Sequence, residues 1–368
     1  MPSLFDPIQL GAVAAPNRIL MAPLTRGRST REHVPTPIMG EYYAQRAAAG
    51  LIITEATGIS REGLGWAYAP GLWTEAQIEG WKPVVERVHL AGGRIFAQLW
   101  HMGRLVHPDF LGGAQPVSAS ATTAPGSVRT YFSDAEPDGK RAYAEARPAT
   151  LDDIARILDD YSAATRGAIR AGFDGVQLHA ANGYLIDQFL RDNSNFRDDD
   201  YGGNPENRAR LLREAVARLI AEAGADRTAV RFSPNGEVQG VDDSNPEAVF
   251  IPAAKWLDAQ GIAFLELRES KPGSGFRPSD VPRLSPKIRG VFRAPLVLNQ
   301  DYALANAQAD LDSGLADAIA FGRTFLANPD LVERLRKGAP LNKGDMATFY
   351  TQGAEGYTDY PTLETEAA

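Results

Sequence analysis

Short runs of apolar, β-branched residues recur along the chain, and each is followed by a stretch with the periodicity of a helix. Strands that alternate with helices predict a parallel sheet, because parallel neighbours must be joined by a crossover. Eight such units suit closure into a single α/β domain of the (β/α)8 TIM-barrel class, and an open doubly wound sheet is the alternative. The predicted strands span residues 17–22, 51–56, 94–99, 175–179, 228–233, 262–267, 295–299 and 316–321.

Helices are predicted between these strands. Thr150 is a suitable N-cap because Asp152 and Asp153 follow in the first turn, and Asn204 is another because Pro205 follows it. The predicted helices cover residues 41–49, 74–91, 150–171, 204–223, 246–260, 302–313 and 330–337. A long segment over 101–149, rich in Pro, Gly, Ser and Ala, interrupts the alternation after the third strand. We therefore expect residues 1–368 to form one barrel domain with an inserted loop at 101–149.

Composition excludes several classes of function. The formal net charge of −8, with acids and bases mixed along the chain, argues against a general nucleic-acid or anionic-membrane partner. The chain has no cysteine, which excludes disulfides, thiolate metal sites, cysteine nucleophiles and protein-ligated iron–sulfur clusters. Residues 1–6 lack the features of an export signal, and no apolar run reaches the length of about 20 residues that spans a bilayer. We predict a cytoplasmic protein.

In a barrel, the loops at the C-terminal ends of the strands build the active site. Those ends are rich in side chains that hydrogen-bond or carry charge, namely Thr25, Glu55, Gln98, His179, Asn182, Arg231, Asn299 and Arg323. The sequence therefore predicts a polar site at this end of the barrel.

Two motifs in the middle of the chain carry a family resemblance. Residues 179–190 read HAANGYLIDQFL and residues 197–208 read RDDDYGGNPENR. Together with matching blocks at 17–18, 21–25, 54–57, 98–104, 321–323 and 356–361, they resemble the old yellow enzyme family over nearly the whole chain. The nearest subgroup resembles the bacterial N-ethylmaleimide and nitroester reductases and the 2-enoate reductases.

This resemblance implies tightly but non-covalently bound FMN, with NAD(P)H as a transient hydride donor. It implies an ene-reductase that reduces the activated C=C bond of enones, enals, maleimides or nitroalkenes by a ping-pong mechanism. Nitroester or nitroaromatic reduction is an implied side activity. A glycine-rich dinucleotide fingerprint is absent from the sequence, as expected if NAD(P)H binds only transiently over the flavin. The resemblance leaves both a monomer and a homodimer open.

The catalytic residues implied by the resemblance are His179, Asn182 and Tyr184. Hydride addition to an enone places negative charge on the carbonyl oxygen, which an imidazole N–H and an amide NH2 can both stabilise. A phenol, with an unperturbed pKa of about 10, can then donate a proton to the neighbouring carbon. The structural alternative is a strand-end histidine, a turn asparagine and a surface tyrosine.

The resemblance also implies the flavin-binding residues, which are Pro23, Leu24, Thr25, Ala56, Gln98, Arg231, Asn299, Gly322 and Arg323. Thr25 is expected near the flavin C4 carbonyl, Gln98 at the pyrimidine edge and Arg231 beside the N1/C2 carbonyl side. As alternatives, Thr25 would cap a helix, Gln98 would satisfy backbone groups, and Arg231 would pair with an acid across the barrel.

Gly322 and Arg323 follow the eighth strand, where barrels often bind phosphate, and Asn299 follows the seventh. Relatives often carry glycine where this chain has residues 299–301 (Asn-Gln-Asp), so the phosphate contacts of that loop are left open.

Trp66, Trp100 and Tyr350 are expected to line the substrate pocket above the flavin, with core packing as the alternative. The 101–149 insertion is expected to form a flap over the site. The acidic run 198–200 is interpreted as a solvated turn, and we predict no metal site.

Three other functions compete with this prediction. A barrel hydrolase would use paired carboxylates such as Glu55 and Glu266, which would leave the His179 motif unexplained. An iron–sulfur dienoyl reductase is excluded by the absence of cysteine. A non-catalytic flavin- or small-molecule-binding protein would bind flavin without oxidising NAD(P)H.

Overall fold

Eight parallel strands form a closed barrel in the computed structural model, which describes residues 1–130, 139–274 and 278–366. Each strand pairs with the next along the chain, and the last pairs with the first. The predicted barrel is confirmed, and the alternative of an open sheet is wrong. The strands are β1 (Ile19–Met21), β2 (Ile52–Gly58), β3 (Ile95–Trp100), β4 (Gly175–Ala180), β5 (Thr228–Phe232), β6 (Phe264–Arg268), β7 (Leu296–Asn299) and β8 (Ala318–Phe321).

A helix follows each strand. These are α1 (Pro37–Ala44), α2 (Glu75–Leu90), α3 (Leu151–Ala171), α4 (Arg210–Ala223), α5 (Pro246–Gln260), α6 (Ser285–Arg289), α7 (Leu304–Asp312) and α8 (Leu331–Lys337). Additional short helices are Leu185–Leu190, Pro205–Arg208, Arg323–Ala327 and Leu363–Glu366, and 3-10 turns span Gly103–Leu105, Pro108–Leu111, Ala225–Arg227 and Met346–Thr348. Three strand pairs lie outside the barrel: Ile8–Leu10 with Val13–Ala15, Val117–Ser118 with Arg147–Pro148, and Ser127–Arg129 with Lys140–Ala142. None of the helices in the described ranges is both long enough and apolar enough to cross a membrane.

Two helix predictions need correction. The helix predicted over 41–49 is already formed at Pro37 and ends at Ala44, after which the chain continues in tight turns, with the Arg46 N–H bonded to the Tyr43 carbonyl at 3.0 Å. The Ala47 and Ala49 N–H groups likewise bond the carbonyls three residues back, those of Ala44 at 3.1 Å and Arg46 at 3.0 Å, so tight turns replace the predicted helix. The helix predicted over 204–223 is broken at Ala209 into two helices.

Alternation along the strands separates the two faces of the barrel wall. On β3, Ile95, Ala97 and Leu99 belong to the large core cluster shared with the helices, whereas Phe96 belongs to a separate cluster inside the barrel. Phe96 packs near Phe264 there, with ring centroids 5.8 Å apart. The interior is therefore apolar near the strand N-termini, and the inward positions further along the strands carry the polar residues predicted for the site.

Candidate functional site

Five buried polar side chains form a connected layer inside the barrel, above the Phe96 cluster. This polar layer consists of Gln98 on β3, Gln177 on β4, Arg231 on β5, Glu266 on β6 and Asn299 on β7. Gln98 Nε2 donates to Gln177 Oε1 at 2.7 Å, and Gln177 Nε2 donates to Glu266 Oε2 at 2.8 Å. Arg231 Nε lies 3.3 Å from Glu266 Oε1, and Arg231 Nη2 donates to Asn299 Oδ1 at 2.8 Å. Side chains from five consecutive strands therefore form one network.

His179 lies one inward position beyond Gln177 on β4 and is 3% exposed. Burial, and secondarily the positive charge of Arg231, lower the pKa of His179 well below its usual value. The ring is therefore neutral at physiological pH. His179 Nδ1 is buried, and no residue of the described ranges bonds it. Such an atom in a native site calls for a partner that the protein itself does not supply.

Trp100 and Tyr184 surround the His179 ring. The Trp100 indole lies roughly parallel to it, with centroids 6.4 Å apart, and Tyr184 meets it edge-on at 4.9 Å. Tyr184 also contacts Trp100 edge-on at 4.9 Å. Trp100 is fully buried, and within the described part of the chain its Nε1 lacks a hydrogen-bond partner. The structure thus brings together two of the three predicted catalytic residues and one predicted pocket residue.

A tight turn after β4 holds Asn182 beside them. Asn182 has a φ of 58°, a left-handed conformation that asparagine tolerates better than most residues. Its N–H donates to Ser233 Oγ at 2.7 Å, and its carbonyl accepts from Gln239 Nε2 at 2.7 Å. Gly183 follows with a φ of 79°, where a Cβ would lie 2.6 Å from the Val238 carbonyl oxygen. Only glycine fits there without rearrangement, so the backbone sets the direction of the Asn182 side chain.

A buried ion pair anchors this turn. Asp187 Oδ2 accepts from the Gly183 N–H at 2.9 Å, and Asp187 Oδ1 pairs with Arg191 Nε at 2.8 Å. Arg191 in turn donates to the Ser233 carbonyl on the loop after β5. The sequence prediction assigned no role to Asp187, Arg191 or Ser233, although Asp187 lies inside the recognised motif.

The loop after β1 carries Pro23, which is buried, and Leu24 and Thr25, which are half-buried. Thr25 caps no helix in the described ranges, so that alternative is wrong. Glu55 Oε2 accepts from the backbone N–H groups of both Arg26 and Gly27 at 3.0 Å. Ala56, beside Glu55 on β2, is 4% exposed.

The two carboxylates of the hydrolase alternative are therefore both engaged. Glu55 holds the loop after β1, and Glu266 belongs to the polar layer on the opposite side of the eight-stranded barrel. The Gln98 amide donates to the side chain of Gln177 and not to a backbone group, which argues against the alternative role of Gln98. Arg231 does pair with an acid, which is its neighbour Glu266.

The predicted phosphate residues lie in two places. Asn299 points into the polar layer, where its Nδ2 also donates to the Ala320 carbonyl at 2.7 Å. Arg323 begins a short helix after Gly322 and pairs at the surface with Asp301. Gln300 and Asp301 have φ values of 122° and 49°, in the region that favours glycine. The loop that departs from the family pattern thus places a carboxylate on the predicted phosphate-binding arginine.

Trp66 and Tyr350 line a cavity of about 460 Å³, with ring centroids 5.3 Å apart. Part of its wall comes from the 101–149 segment: Ser127, Val128, Thr130, Lys140 and Tyr143. Trp100 is not among its lining residues. Trp100 is buried against His179, but it belongs to the hydrophobic cluster against which Trp66 and Tyr143 also pack.

The C-terminal segment is tied to the loop after β1, which the sequence prediction did not foresee. Arg26 is fully buried and donates to the carbonyls of Phe349 at 3.1 Å and Gly356 at 2.6 Å. Tyr357 stacks on Tyr42 with centroids 4.1 Å apart, and Arg26 lies over both rings. These contacts set the position of Tyr350 beside Trp66.

The acidic run 198–200 forms surface ion pairs, Asp199 with Arg197 and Asp200 with Arg210. Across the described residues, no group of three or more His, Cys, Asp or Glu side chains is placed to hold a metal ion.

His101, which directly follows β3, should make the stability of the protein depend on pH. Burial lowers its pKa to about 3, and its Nδ1 accepts from the Gly103 N–H at 3.1 Å. Between pH 6.5 and pH 3, His101 is protonated in the unfolded chain, where its pKa is about 6.5, but stays neutral in the folded chain. The folded state therefore loses stability as the pH falls through this range. When the pH is lowered from 7 to 5, we expect the free energy of unfolding of the wild type, measured in urea, to fall by about 2 kcal/mol more than that of His101→Asn. Parallel pH profiles of the two proteins would contradict this.

A family model described as the NADH:flavin oxidoreductase / NADH oxidase family matches residues 3–342. The flavin oxidoreductase hxnT of Emericella nidulans is 41% identical, and the alignment covers 97% of each chain. The 12-oxophytodienoate reductase 1 of Oryza sativa subsp. japonica is 38% identical over 98% of this chain and 93% of its own.

Two solved structures are also similar. The old yellow enzyme homologue NCR from Zymomonas mobilis is 62% identical with a TM-score of 0.95, covering 98% of this chain and 100% of its own. Morphinone reductase is 44% identical with a TM-score of 0.95, covering 100% of this chain and 98% of its own. A further structure shows morphinone reductase in complex with tetrahydroNAD, at 44% identity and a TM-score of 0.94 over 100% of this chain and 99% of its own.

Proposed function

Because this chain belongs to the NADH:flavin oxidoreductase / NADH oxidase family, as an old yellow enzyme homologue, we propose that it reduces the activated C=C bond of enones, enals, maleimides or nitroalkenes. Its family makes it an NAD(P)H-dependent flavin oxidoreductase that uses FMN. The observation that carries the proposal is the grouping of neutral His179, Tyr184 and Trp100 above the polar layer.

The residues at the strand ends fit FMN. Burial leaves His179 Nδ1 and Trp100 Nε1 without hydrogen-bond partners in the described ranges, so the site has unused polar capacity where a ligand would lie. A flavin pyrimidine ring carries carbonyl oxygens and an N–H, which the amide of Gln98 and the guanidinium of Arg231 complement. Bound FMN supplies a two-electron carrier that accepts hydride from NAD(P)H and delivers it to the alkene.

The remaining flavin contacts are proposed from position. Pro23, Leu24, Thr25 and Ala56 would contact the ring from β1 and β2, and Gly322 and Arg323 would hold the phosphate beyond β8. Asn299 would act through Arg231, to which its side chain is bonded.

His179 and Asn182 would bind the carbonyl or nitro oxygen of the alkene. The low pKa of His179, caused chiefly by burial, keeps the ring neutral, so it donates one N–H without carrying a charge that titrates near pH 7. The His179 ring is packed and the Asn182 backbone is fixed before substrate arrives, and pre-organised donors stabilise developing charge at little reorganisation cost. Tyr184, beside His179, would then donate its phenolic proton to the carbon next to the carbonyl.

Substrate selection would lie at the cavity of Trp66 and Tyr350, with the described part of the 101–149 segment acting as a flap. Its aromatic walls, together with Lys140, suit planar electron-poor molecules. Nicotinamide and alkene would occupy the same site in turn, which makes the kinetics ping-pong. Hydride from the flavin on one face of the alkene and a proton from Tyr184 on the other would make the hydrogen addition trans. Nitroester or nitroaromatic reduction would use the same donors.

A cytoplasmic location stays a prediction of the sequence.

Steady-state assays test this proposal. NADPH and NADH oxidation would be measured with 2-cyclohexenone, N-ethylmaleimide and a nitroalkene, while the reduced products are quantified. Parallel double-reciprocal lines and one reduced alkene per nucleotide oxidised are expected. Nucleotide oxidation that needs oxygen and consumes no alkene would contradict the proposal and would indicate an oxidase.

Asp301 gives a separate prediction for FMN binding. Its carboxylate pairs with Arg323 and would lie near the flavin phosphate. Asp301→Asn removes one negative charge there, so the affinity of the apoprotein for FMN should rise by about threefold to tenfold. Fluorescence quenching of FMN measures it, with Asp312→Asn on α7 as the matched control. Weaker FMN binding by Asp301→Asn would show that the carboxylate supports the site.

A further inference from the structure

Glu266 is a fully buried carboxylate that the proposed mechanism leaves unused. It accepts one hydrogen bond from Gln177, and its other oxygen lies 3.3 Å from Arg231 Nε without hydrogen-bond geometry. Taking a charge out of water costs several kcal/mol unless it is paired. Among the described residues, Arg231 is the cation that lies beside Glu266, so the carboxylate and the guanidinium must be considered together.

The barrel register fixes this pairing. Arg231 and Glu266 are direct partners on the neighbouring strands β5 and β6, and both side chains point into the barrel. Asn299 holds the guanidinium from the other side. Arg231 therefore lies between the Glu266 carboxylate and the neutral Asn299 amide. The negative charge of Glu266 offsets much of the electrostatic potential of the guanidinium.

Glu266 also orients two amides. An ionised carboxylate only accepts hydrogen bonds, so Gln177 must present its NH2 to Glu266 and its oxygen to Gln98. Gln98 then donates to Gln177 and keeps its own oxygen as an acceptor for a ligand N–H. One buried charge thus determines which atoms the polar layer presents.

We propose that Glu266 is a positioning residue that sets the reduction potential of the bound FMN through Arg231 and Gln98. The inference rests on the proposed function, in which these two side chains meet the flavin pyrimidine ring. Two-electron reduction of FMN with uptake of one proton adds one negative charge to the ring. By balancing Arg231, Glu266 weakens the stabilisation of that charge and keeps reduced FMN a strong hydride donor.

The test measures the FMN potential by anaerobic spectroelectrochemistry in the holoenzyme. Glu266→Gln keeps the shape and removes the charge. We expect the preference for reduced over oxidised FMN to rise about tenfold, which is about 30 mV for a two-electron couple. Asn299→Asp places a second carboxylate on Arg231 and should shift the potential in the opposite direction.

Glu269→Gln is the matched control. Glu269 is also buried, one residue beyond β6, but its carboxylate accepts from the backbone N–H groups of Leu284 and Ser285. Its substitution should leave the potential unchanged, and an equal shift would overturn the proposal because any buried charge would then suffice.

An unchanged or lowered potential in FMN-loaded Glu266→Gln would overturn the proposal while leaving the proposed function intact. If that variant does not hold FMN, the reduction potential of FMN in Asn299→Asp provides the test. A lowered potential supports the proposal, and an unchanged or raised potential overturns it. A wild type that binds no FMN would overturn the proposed function and this inference together.

Discussion

Tyr184→Phe should slow alkene reduction by about 10²- to 10⁴-fold and leave reduction of the bound flavin by NAD(P)H nearly unchanged. The substitution removes only the hydroxyl, while the ring keeps its edge-on contacts with His179 and Trp100 at 4.9 Å. A proton donor is needed only after hydride reaches the alkene, so only the oxidative half-reaction should suffer. Stopped-flow absorbance measures the two half-reactions separately.

Tyr201→Phe is the matched control for this prediction. The Tyr201 hydroxyl donates to Glu214 at 2.8 Å, in the region where α4 begins, away from the constellation around His179. Both half-reactions should keep their rates in this variant. If Tyr184→Phe slowed flavin reduction as much as alkene reduction, Tyr184 would have a role other than proton donation.

The double variant His179→Ala/Asn182→Ala should weaken the binding of phenols and enones by about 10²- to 10³-fold while the protein retains FMN. His179 is neutral because burial and Arg231 lower its pKa, and the Asn182 backbone is fixed by Ser233 and Gln239. Under the proposed function both side chains donate to the ligand oxygen rather than to the flavin, so their loss should spare FMN. Titration with a phenol, followed through flavin absorbance, measures the loss.

A control for the double variant is His107→Ala/Asn193→Ala, which removes the same residue types elsewhere. His107 caps a 3-10 turn, and Asn193 bonds the Gly240 carbonyl. Phenol binding should be unchanged there. Loss of FMN from the His179→Ala/Asn182→Ala protein in proportion to its loss of phenol binding would refute the assignment of these residues to the substrate oxygen.

The barrel was predictable because period-two alternation and helical periodicity are local properties of the sequence. Closure does not follow from these periodicities alone, because it depends on the pairing of β8 with β1, between residues about 300 positions apart; the count of eight units predicted it. The end of α1 at Ala44 was missed because residues 41–49 contain no Gly or Pro that would mark a helix end.

In the site, too, the features that lie close together in the sequence were predicted, and those that depend on contacts between distant residues were not. The catalytic motif could be recognised because His179, Asn182 and Tyr184 lie within six residues, and the structure places His179 and Tyr184 in contact. The shared pocket role of Trp66, Trp100 and Tyr350 stays a prediction: Trp100 is buried against His179, Trp66 and Tyr350 line a cavity, and Trp66 packs against the same hydrophobic cluster as Trp100.

Gln177 was overlooked as a member of the site, and Glu266 was considered only for the hydrolase alternative. Both occupy inward positions, and Gln177 precedes His179 by two residues on the same strand, so alternation alone could have indicated it. The pairing of Glu266 with Arg231 depends on the register of two strands, which the sequence does not display.

The central claim is that this chain is an FMN enzyme that passes hydride from NAD(P)H to an activated alkene. The most direct test is the visible absorbance of the purified protein under anaerobic conditions, first with NADPH and then with 2-cyclohexenone. We predict a flavin spectrum that bleaches with NADPH and returns with the enone. A protein that stays colourless after FMN is added, or a bleached flavin that the enone does not reoxidise, would contradict the account.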